Sequence, residues 1–180
     1  MRLRRVRTND LTPAEVVEIR RLLDAAFGDD EEERFTEADW DHSVGGVHFV
    51  LDDDGPILSH ASVVERELQV AGQPFRTGYV EAVATRPDRQ GQGFGTTVMR
   101  DVTAYIRETF ELGALGTGEQ GFYERLGWTI WPGPSSVRTD DGERRTTDED
   151  GYIMVLLTPL SATVDETAGI SCEWRPGDVW

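Results

Sequence analysis

The segment Gly78 to Arg107 constrains the fold most, because a strand, a glycine-rich turn and a helix follow one another in it. Residues 78–85 are rich in β-branched and aromatic side chains, which is typical of a buried strand. Pro87 ends this strand, and residues 90–95 then read QGQGFG. After Gly95 the apolar residues recur at helical spacing. They are Val98, Met99, Val102, Tyr105 and Ile106.

The turn at residues 90–95 is predicted to bind an anion, and a pyrophosphate is the best candidate. Backbone N–H groups at a helix N-terminus have no partner within the helix, and the helix dipole favours negative charge there. Glycine leaves room for a phosphate to approach the backbone. A Walker A loop is excluded because the chain contains no lysine. The third glycine of a dinucleotide-binding turn would fall on Thr96. What remains is Q-x-x-G-x-G, formed by Gln90, Gly93 and Gly95.

Length and composition indicate one domain, residues 1–180, with a substantial core. The single cysteine, Cys172, excludes an internal disulfide and a cysteine-rich zinc site, and we interpret it as a packed residue and not as a nucleophile. His42, His48 and His60 lack metal-ligand spacing, so no metal is predicted. Without a long apolar run or a signal-peptide pattern, a cytoplasmic protein is expected.

The net charge of −16 argues against nucleic acid and anionic membranes as partners. An acidic surface is often only a solubility feature. The acidic residues are clustered, however, at residues 29–33, 52–54 and 148–150 and again at Asp178. If several clusters surround one pocket, that pocket will attract a polycation. Both interpretations stay open from the charge pattern alone.

The remaining pattern predicts an α/β protein with a mixed, mainly antiparallel sheet. Thr12, Pro13 and Glu15 form a strong helix start, and Gly28 is a plausible end of that helix. A short helix is predicted at residues 119–126. Strands are predicted at residues 2–7, 47–51, 57–70, 78–85, 112–116, 128–131, 152–157 and 170–174. Residues 29–46 form either a short helix or a connector, and residues 132–151 a loop with a small hairpin.

Several segments resemble the aminoglycoside 2'-N-acetyltransferases, a family of the GNAT superfamily of N-acetyltransferases. These segments are FTEADW at 35–40, Gly45-Gly46, GYVEA at 78–82, LGAL at 112–115, Tyr123 with Gly127-Trp128, and RPGDVW at 175–180. The C-terminal motif is the most specific of them. The resemblance implies the GNAT fold, with a central splayed sheet flanked by helices and acetyl-coenzyme A wedged beside the strand that ends at Thr85.

The resemblance also implies which residues bind acetyl-coenzyme A. Backbone groups of Val83, Ala84 and Thr85 would hold the pantetheine and acetyl end. The pyrophosphate would lie on the turn formed by Gln90, Gly91, Gln92, Gly93, Phe94 and Gly95. The second assignment agrees with the anion site predicted above from the residues themselves.

Two residues match the family's catalytic positions. Glu81 would take the proton from the attacking amine, directly or through a water molecule, or it would only balance the substrate's charge. Tyr123 would protonate the departing thiolate, or it is a core tyrosine on a short helix. The resemblance implies a direct attack without a covalent enzyme intermediate.

Acceptor binding in the family uses carboxylates, whose hydrogen bonds to ammonium groups are strong. The corresponding positions are Asp39, Glu81, Ala82, Gly116, Asp148, Glu149, Asp178 and Trp180, the last through its carboxylate. Two positions depart from the family. Arg34 stands where an acid is expected, so Glu33 or Asp30 would replace it. Gly116 stands where a serine is expected, so a hydroxyl contact is lost or moves to Thr117.

The implied function is acetylation of the 2'-amine of aminoglycosides, which confers antibiotic resistance. One alternative is the same chemistry on a cell-wall amino sugar, a polyamine or a protein. Another is a non-catalytic acyl-coenzyme A sensor, which would need the glycine turn but neither Glu81 nor Tyr123. The expected partner is a polycationic small molecule, with no nucleic acid or membrane, and the chain is expected to form a homodimer.

Overall fold

The computed structural model describes residues 1–28 and 34–180, which form two compact units. The first unit comprises Met1–Val64 and Val80–Val102, and the second comprises Glu65–Tyr79 and Thr103–Trp180. The single domain expected from the chain length stays a prediction. Among the helices of the described ranges, none is long and apolar enough to cross a membrane.

The first unit contains antiparallel strands and two helices of its own. Its elements are β1 (Arg2–Arg7), α1 (Pro13–Phe27), α2 (Glu37–Ser43), β2 (Val47–Asp52), and parts of β3 (Ile57–Val70), β4 (Gln73–Thr85) and α3 (Phe94–Thr109). Strand β2 pairs with β1 on one side and with β3 on the other. The core of this unit contains Ile19, Leu22, Leu23, Trp40, Val50, Ile57 and Ala84.

Local sequence fixes where both helices of the first unit begin. The Glu15 N–H donates to Thr12 Oγ1 (3.2 Å) and the Thr12 N–H donates to Glu15 Oε2 (2.8 Å), so the predicted capping box of α1 is confirmed. Gly28 follows α1 with φ 79° and acts as its C-cap, also as predicted. Helix α2 has a second capping box, between Thr36 and Asp39. The segment around Phe35–Trp40 is therefore helical in part, and not a plain connector.

The second unit is built on strands. Its own elements are β5 (Leu112–Gly116), α4 (Gln120–Glu124), β6 (Thr129–Ile130), β7 (Ser135–Thr139), β8 (Gly142–Arg145), β9 (Ile153–Leu157) and β10 (Ile170–Glu173). The strand order is β6-β9-β5-β4-β3-β10-β7-β8. Strands β4 and β5 are parallel, as are β10 and β7. The pairs β3–β10, β5–β9, β6–β9 and β7–β8 are antiparallel.

Two glycines in the second unit are required by close packing. A Cβ on Gly78 would lie 2.7 Å from a ring atom of Phe110, and one on Gly113 would lie 2.9 Å from Leu156 Cβ. Such distances are below van der Waals contact, so a side chain at either position would displace its neighbour. Gly78 and Gly113 are also directly paired in the parallel β4–β5 ladder.

The predicted mixed, mainly antiparallel sheet is confirmed, as is the small hairpin within residues 132–151, which is β7–β8. Strand β4 starts at Gln73, five residues earlier than predicted, because its first residues pair with neighbouring strands despite Pro74. Helix α4 is shorter than the predicted range 119–126, since the Leu126 and Gly127 N–H groups form tight turns after it.

Candidate active site

The glycine turn predicted to bind an anion connects β4 to α3 in the first unit. Gly91 and Gly93 have φ values of 73° and 84°, which residues with a Cβ rarely adopt. A Cβ at either position would meet nothing within 4 Å, so these glycines serve the conformation of the turn and leave open space beside it. Residues 90–93 are exposed, and the Thr97 N–H donates to Gly93 O (2.9 Å) in the first turn of α3. The exposed helix N-terminus therefore fits a phosphate group.

Two arginines beside this turn were not identified from the sequence. Arg86 donates two hydrogen bonds to Asp88, both 3.0 Å long. Arg89 has its Nε 3.9 Å from Asp88 Oδ2, and its side chain is 48% exposed. Gln90 Nε2 donates to Thr85 O (3.4 Å), so the glutamine of the motif ties the turn back to β4. The cations add to the attraction of the helix N-terminus for an anion.

The predicted residues Glu81 to Thr85 lie at the end of β4, where the strand is irregular. Ala82 has φ 51°, a left-handed conformation that is uncommon for a residue with a side chain and unusual within a strand. Glu81, Ala82, Val83 and Thr85 are half-buried, whereas Ala84 is buried. The backbone at Ala82 therefore departs from a regular ladder directly between the predicted catalytic carboxylate and the predicted pantetheine-binding residues.

Carboxylates gather at one place in the second unit. Asp148 and Glu149 lie on a short 3-10 helix (Thr147–Glu149), and Asp178 lies near the end of the chain. Burial raises the pKa of Glu149, and the charges of Asp178 and Asp148 raise it further. Because these three carboxylates repel one another, the binding of a cation between them would be favourable. The structure thus brings together three of the residues predicted to bind the acceptor.

The C-terminal segment of the chain packs beside these carboxylates. Trp180 is buried, and its Nε1–H donates to Thr146 Oγ1 (2.9 Å). Arg175 Nε donates to Asp178 O (2.7 Å) and its Nη2 donates to Trp180 O (3.3 Å). The Arg175 guanidinium also lies over the Tyr79 ring, 5.5 Å from its centroid. Arg175 and Thr146 were not predicted as site residues, although Arg175 opens the C-terminal motif on which the resemblance rests.

Gly116 lies against the same segment. A Cβ built on Gly116 would be 3.7 Å from Tyr79 Oη and 3.8 Å from the carbonyl carbon of Trp180. These are ordinary van der Waals distances, so the position has room for a small side chain. The predicted acceptor residues Gly116, Asp178 and Trp180 therefore share one neighbourhood in this unit.

Tyr123, the predicted general acid, is buried on α4 among aromatic rings. Its ring makes edge-to-face contacts with Phe122 (4.9 Å between centroids) and Trp128 (6.3 Å). Burial, and to a smaller extent the charge of Glu119, raises the pKa of Tyr123 well above its usual value. The phenol therefore keeps its proton at neutral pH. A proton donor must be protonated, but a core tyrosine is protonated as well, so the pKa alone does not distinguish the two roles.

Asp39, the remaining predicted acceptor residue, has a structural role that the sequence analysis did not assign to it. Its Oδ2 accepts hydrogen bonds from Thr36 N and Thr36 Oγ1, both 2.7 Å, in the capping box of α2. Of the other acidic clusters, Asp52 pairs with Arg4 (3.1 Å). The cluster at residues 29–33, which includes the proposed replacements Asp30 and Glu33, lies outside the described residues.

Cys172 is fully buried, and burial raises its pKa to about 11. A thiol with this pKa is protonated at neutral pH, which agrees with a packed cysteine and not with a nucleophile. Within residues 1–28 and 34–180, no group of three or more His, Cys, Asp or Glu side chains has the geometry of a metal site.

The chain is similar in sequence to known acetyltransferases. The family model of the acetyltransferase (GNAT) domain matches residues 7–131. The aminoglycoside 2'-N-acetyltransferase of Mycolicibacterium fortuitum is 41% identical over 98% of this chain and 91% of its own length.

Solved structures resemble the chain in fold. A GNAT family acetyltransferase from Brucella melitensis, solved in complex with acetyl-CoA, superposes with a TM-score of 0.62 at 17% identity, covering 97% of each chain. A GCN5-related N-acetyltransferase from Kribbella flavida gives a TM-score of 0.59 at 20% identity over 74% of this chain, which spans 34% of that longer protein. At these identities the likeness concerns the fold alone, and it confirms the predicted fold class.

Proposed function

Because the chain belongs to the GNAT acetyltransferases, we propose that it transfers an acetyl group from acetyl-coenzyme A to the 2'-amine of an aminoglycoside. The observation that carries this proposal is the 41% identity, over 98% of the chain, to an aminoglycoside 2'-N-acetyltransferase. The acidic cluster of Asp148, Glu149 and Asp178 supports it independently, since aminoglycosides are polycations. This function would confer resistance to such antibiotics.

The cofactor-binding residues in this proposal are those of the first unit. The turn Gln90–Gly95 holds the pyrophosphate, because its N–H groups lie at an exposed helix N-terminus with open space beside Gly91 and Gly93. Residues Val83–Thr85 hold the pantetheine through their backbone groups. When bound, acetyl-coenzyme A supplies the acetyl group as a thioester.

Two residues of the chain handle the protons. The amine must be neutral to attack, so Glu81 accepts a proton from the ammonium group, directly or through a water molecule. As the new C–N bond forms and the C–S bond breaks, a proton must reach the sulfur. Tyr123 donates it from Oη. Because burial raises the pKa of this phenol further above that of a thiol, the transfer requires that the site stabilise the phenolate that forms. The phenol then recovers its proton from solvent.

The acceptor-binding residues are the carboxylates Asp148, Glu149 and Asp178, with Gly116 and Trp180 beside them. Ammonium groups of the acceptor form charge-assisted hydrogen bonds with these carboxylates and lower the mutual repulsion that raises the pKa of Glu149. Arg175 is the positioning residue of this group, because it donates to Asp178 O and to a carboxylate oxygen of Trp180.

The test is a thiol-release assay with acetyl-coenzyme A against two sets of aminoglycosides, with and without a free 2'-amine. Turnover is expected only for the set that carries the amine, and mass spectrometry of the product should show one added acetyl group. Calorimetric titration with coenzyme A, run in parallel, measures cofactor binding without any acceptor.

The other possible outcomes of this assay would indicate other functions. Cofactor binding with turnover of spermidine or of a cell-wall amino sugar, but of no aminoglycoside, would assign the enzyme to another amine. Cofactor binding without turnover of any amine would favour a sensor. Absence of cofactor binding would refute the proposal altogether.

A further inference from the structure

Besides Arg66, strand β3 carries three buried polar side chains, Ser59, His60 and Ser62, each less than 1% exposed. All three form hydrogen bonds with carbonyl groups at the irregular end of β4. We propose that His60, oriented by His48, is a positioning residue that holds the backbone at Ala82 and thereby the cofactor-binding and catalytic residues on either side of it. The inference about catalysis rests on the function proposed above, whereas the inference about the backbone does not.

With both rings neutral, a single arrangement of protons satisfies the hydrogen bonds of the histidine pair. The Ala82 carbonyl can only accept, so His60 Nδ1, 2.8 Å away, must carry the proton. His60 Nε2 then accepts from His48 Nδ1, at 2.9 Å. His48 Nε2 in turn accepts from Thr8 Oγ1, also at 2.9 Å. Each ring therefore has one fixed tautomer, and burial, which lowers the pKa of both imidazoles, keeps them neutral.

The chain of hydrogen bonds ends on the closely packed backbone at Gly45 and Gly46. Thr8 Oγ1 accepts from the Gly45 N–H (2.9 Å), just before β2. Next to it, a Cβ on Gly46 would lie 1.9 Å from Val63 O, so only glycine allows this approach of the two segments. His48 is thus held from one side by Thr8, and it can hold His60 on the other. The two imidazoles therefore connect Thr8 to the Ala82 carbonyl through hydrogen bonds.

Ala82 needs such support more than other residues of similar conformation. Three residues other than glycine have a positive φ in the described ranges, namely Asp54, Ala71 and Ala82, each at 51°. Asp54 and Ala71 lie in the turns that follow β2 and β3, where left-handed residues are usual. Ala82 lies inside β4. A strained conformation within a strand persists only where its surroundings fix it.

The neighbouring carbonyls are held in the same way. Ser62 Oγ donates to Glu81 O (3.2 Å), and Ser59 Oγ donates to Ala84 O (2.9 Å). Side chains of β3 therefore hydrogen-bond to β4 carbonyls on both sides of Ala82 as well as at Ala82 itself. The backbone that carries the Glu81 side chain and begins the predicted pantetheine site is fixed by these contacts.

The test compares two substitutions with the same branched shape. His60→Asn retains an N–H donor near the Nδ1 position, whereas His60→Leu removes it. We expect His60→Leu to weaken coenzyme A binding and to lower kcat, each about tenfold or more, because small displacements of positioned groups are costly. His60→Asn should recover most of this loss. Crystal structures should show a negative φ at Ala82 in the leucine variant and a positive φ in the asparagine variant.

A matched control separates positioning from a general loss of stability. Ser161→Ala removes the acceptor of the buried Thr158 N–H (2.9 Å) and should lower Tm, but coenzyme A affinity and kcat should stay within about twofold because the β4 backbone is untouched. If His60→Leu does not fold, Ser62→Ala takes its place, with a several-fold fall in kcat expected.

The proposal is overturned if His60→Leu keeps the positive φ at Ala82, if it retains wild-type coenzyme A affinity and kcat, or if His60→Asn is as impaired as His60→Leu. If Ser62→Ala is used in place of His60→Leu, an unchanged kcat would likewise overturn the proposal. If the wild-type enzyme binds coenzyme A but acetylates no aminoglycoside, only the proposed function fails. The affinity and the φ of Ala82 then still decide the role of His60.

Discussion

The buried histidine pair should make the stability of this protein depend on pH below about 6.5, before most carboxylates begin to titrate. Burial lowers the pKa of His48 to about 4 and that of His60, which also faces His48, to about 3. Both have an ordinary value of 6.5 when the chain is unfolded. The unfolded state therefore binds more protons than the folded state between these limits. Stability is full above pH 6.5 and is lost as the pH falls toward 4.

The magnitude follows from the linkage between proton binding and folding. Between about pH 7 and pH 5, a histidine that stays neutral when folded and titrates at 6.5 when unfolded costs about 2 kcal/mol of stability. Two such residues cost about 4 kcal/mol over the same interval. This is a large share of the roughly 5–15 kcal/mol that stabilises a typical domain.

Urea unfolding at pH 7, 6 and 5, with linear extrapolation to water, measures this dependence. The double variant His48→Asn/His60→Asn removes both titrating groups and provides the comparison. The wild-type protein should lose about 4 kcal/mol more than the double variant between pH 7 and pH 5, and each single variant should fall near the midpoint. Groups other than His48 and His60 titrate alike in all four proteins, so they cancel in the difference.

The reasoning would be refuted if the wild-type protein and the double variant lost stability in parallel. That result would mean that the imidazoles take up protons in the folded state, and hence that the neutral hydrogen-bonded pair does not exist in solution. NMR of the imidazole nitrogens provides a second check, since each ring should show one protonated and one unprotonated nitrogen at neutral pH.

Three further predictions concern the proposed site. Glu149→Gln should raise the acceptor KM about tenfold with little change in the acetyl-coenzyme A KM, because one charge-assisted hydrogen bond is weakened; equal effects on both constants in steady-state kinetics would contradict the assignment. Gly93→Ala should weaken coenzyme A binding in calorimetry, whereas Gly72→Ala, which has a similar φ of 77° and equally open space, should only lower Tm. Gly116→Ser should leave Tm unchanged and alter the acceptor KM, whereas Gly113→Ser should lower Tm by several degrees because its Cβ overlaps neighbouring side chains; a stable Gly113→Ser protein would contradict that packing argument.

The features that the sequence predicted well are those with short-range causes. The capping box of Thr12 and Glu15 needs only residues three apart, and the turn at Gln90–Gly95 needs only its glycines and the helix after it. The second capping box is present in the sequence as Thr36 and Asp39, although the resemblance assigns Asp39 only to acceptor binding. Its carboxylate in fact accepts from Thr36.

The features that the sequence could not predict depend on contacts between distant segments. Gly116, Glu149 and Trp180 come together only because the strands of the second unit pair as they do, so residue patterns alone gave no reason to group them. Only the resemblance to a known family did. His48 and His60 were considered as metal ligands and set aside, since their spacing reveals nothing about hydrogen bonds between β2 and β3.

A signal for the polar set on β3 was nevertheless present. Residues 57–64 of β3 are buried on both faces of the strand, and placing Ser59, His60 and Ser62 there is unfavourable unless each side chain has a partner. The partners here are carbonyls that the irregular backbone at Ala82 places within reach. The polar residues are therefore satisfied only when β4 has this conformation, and β4 keeps this conformation only when they are present. An all-apolar β3 would deprive the Ala82 carbonyl and the His48 Nδ1–H of these hydrogen bonds, so it should give a less stable protein, or one in which β4 loses the positive φ at Ala82 and with it the geometry of the site.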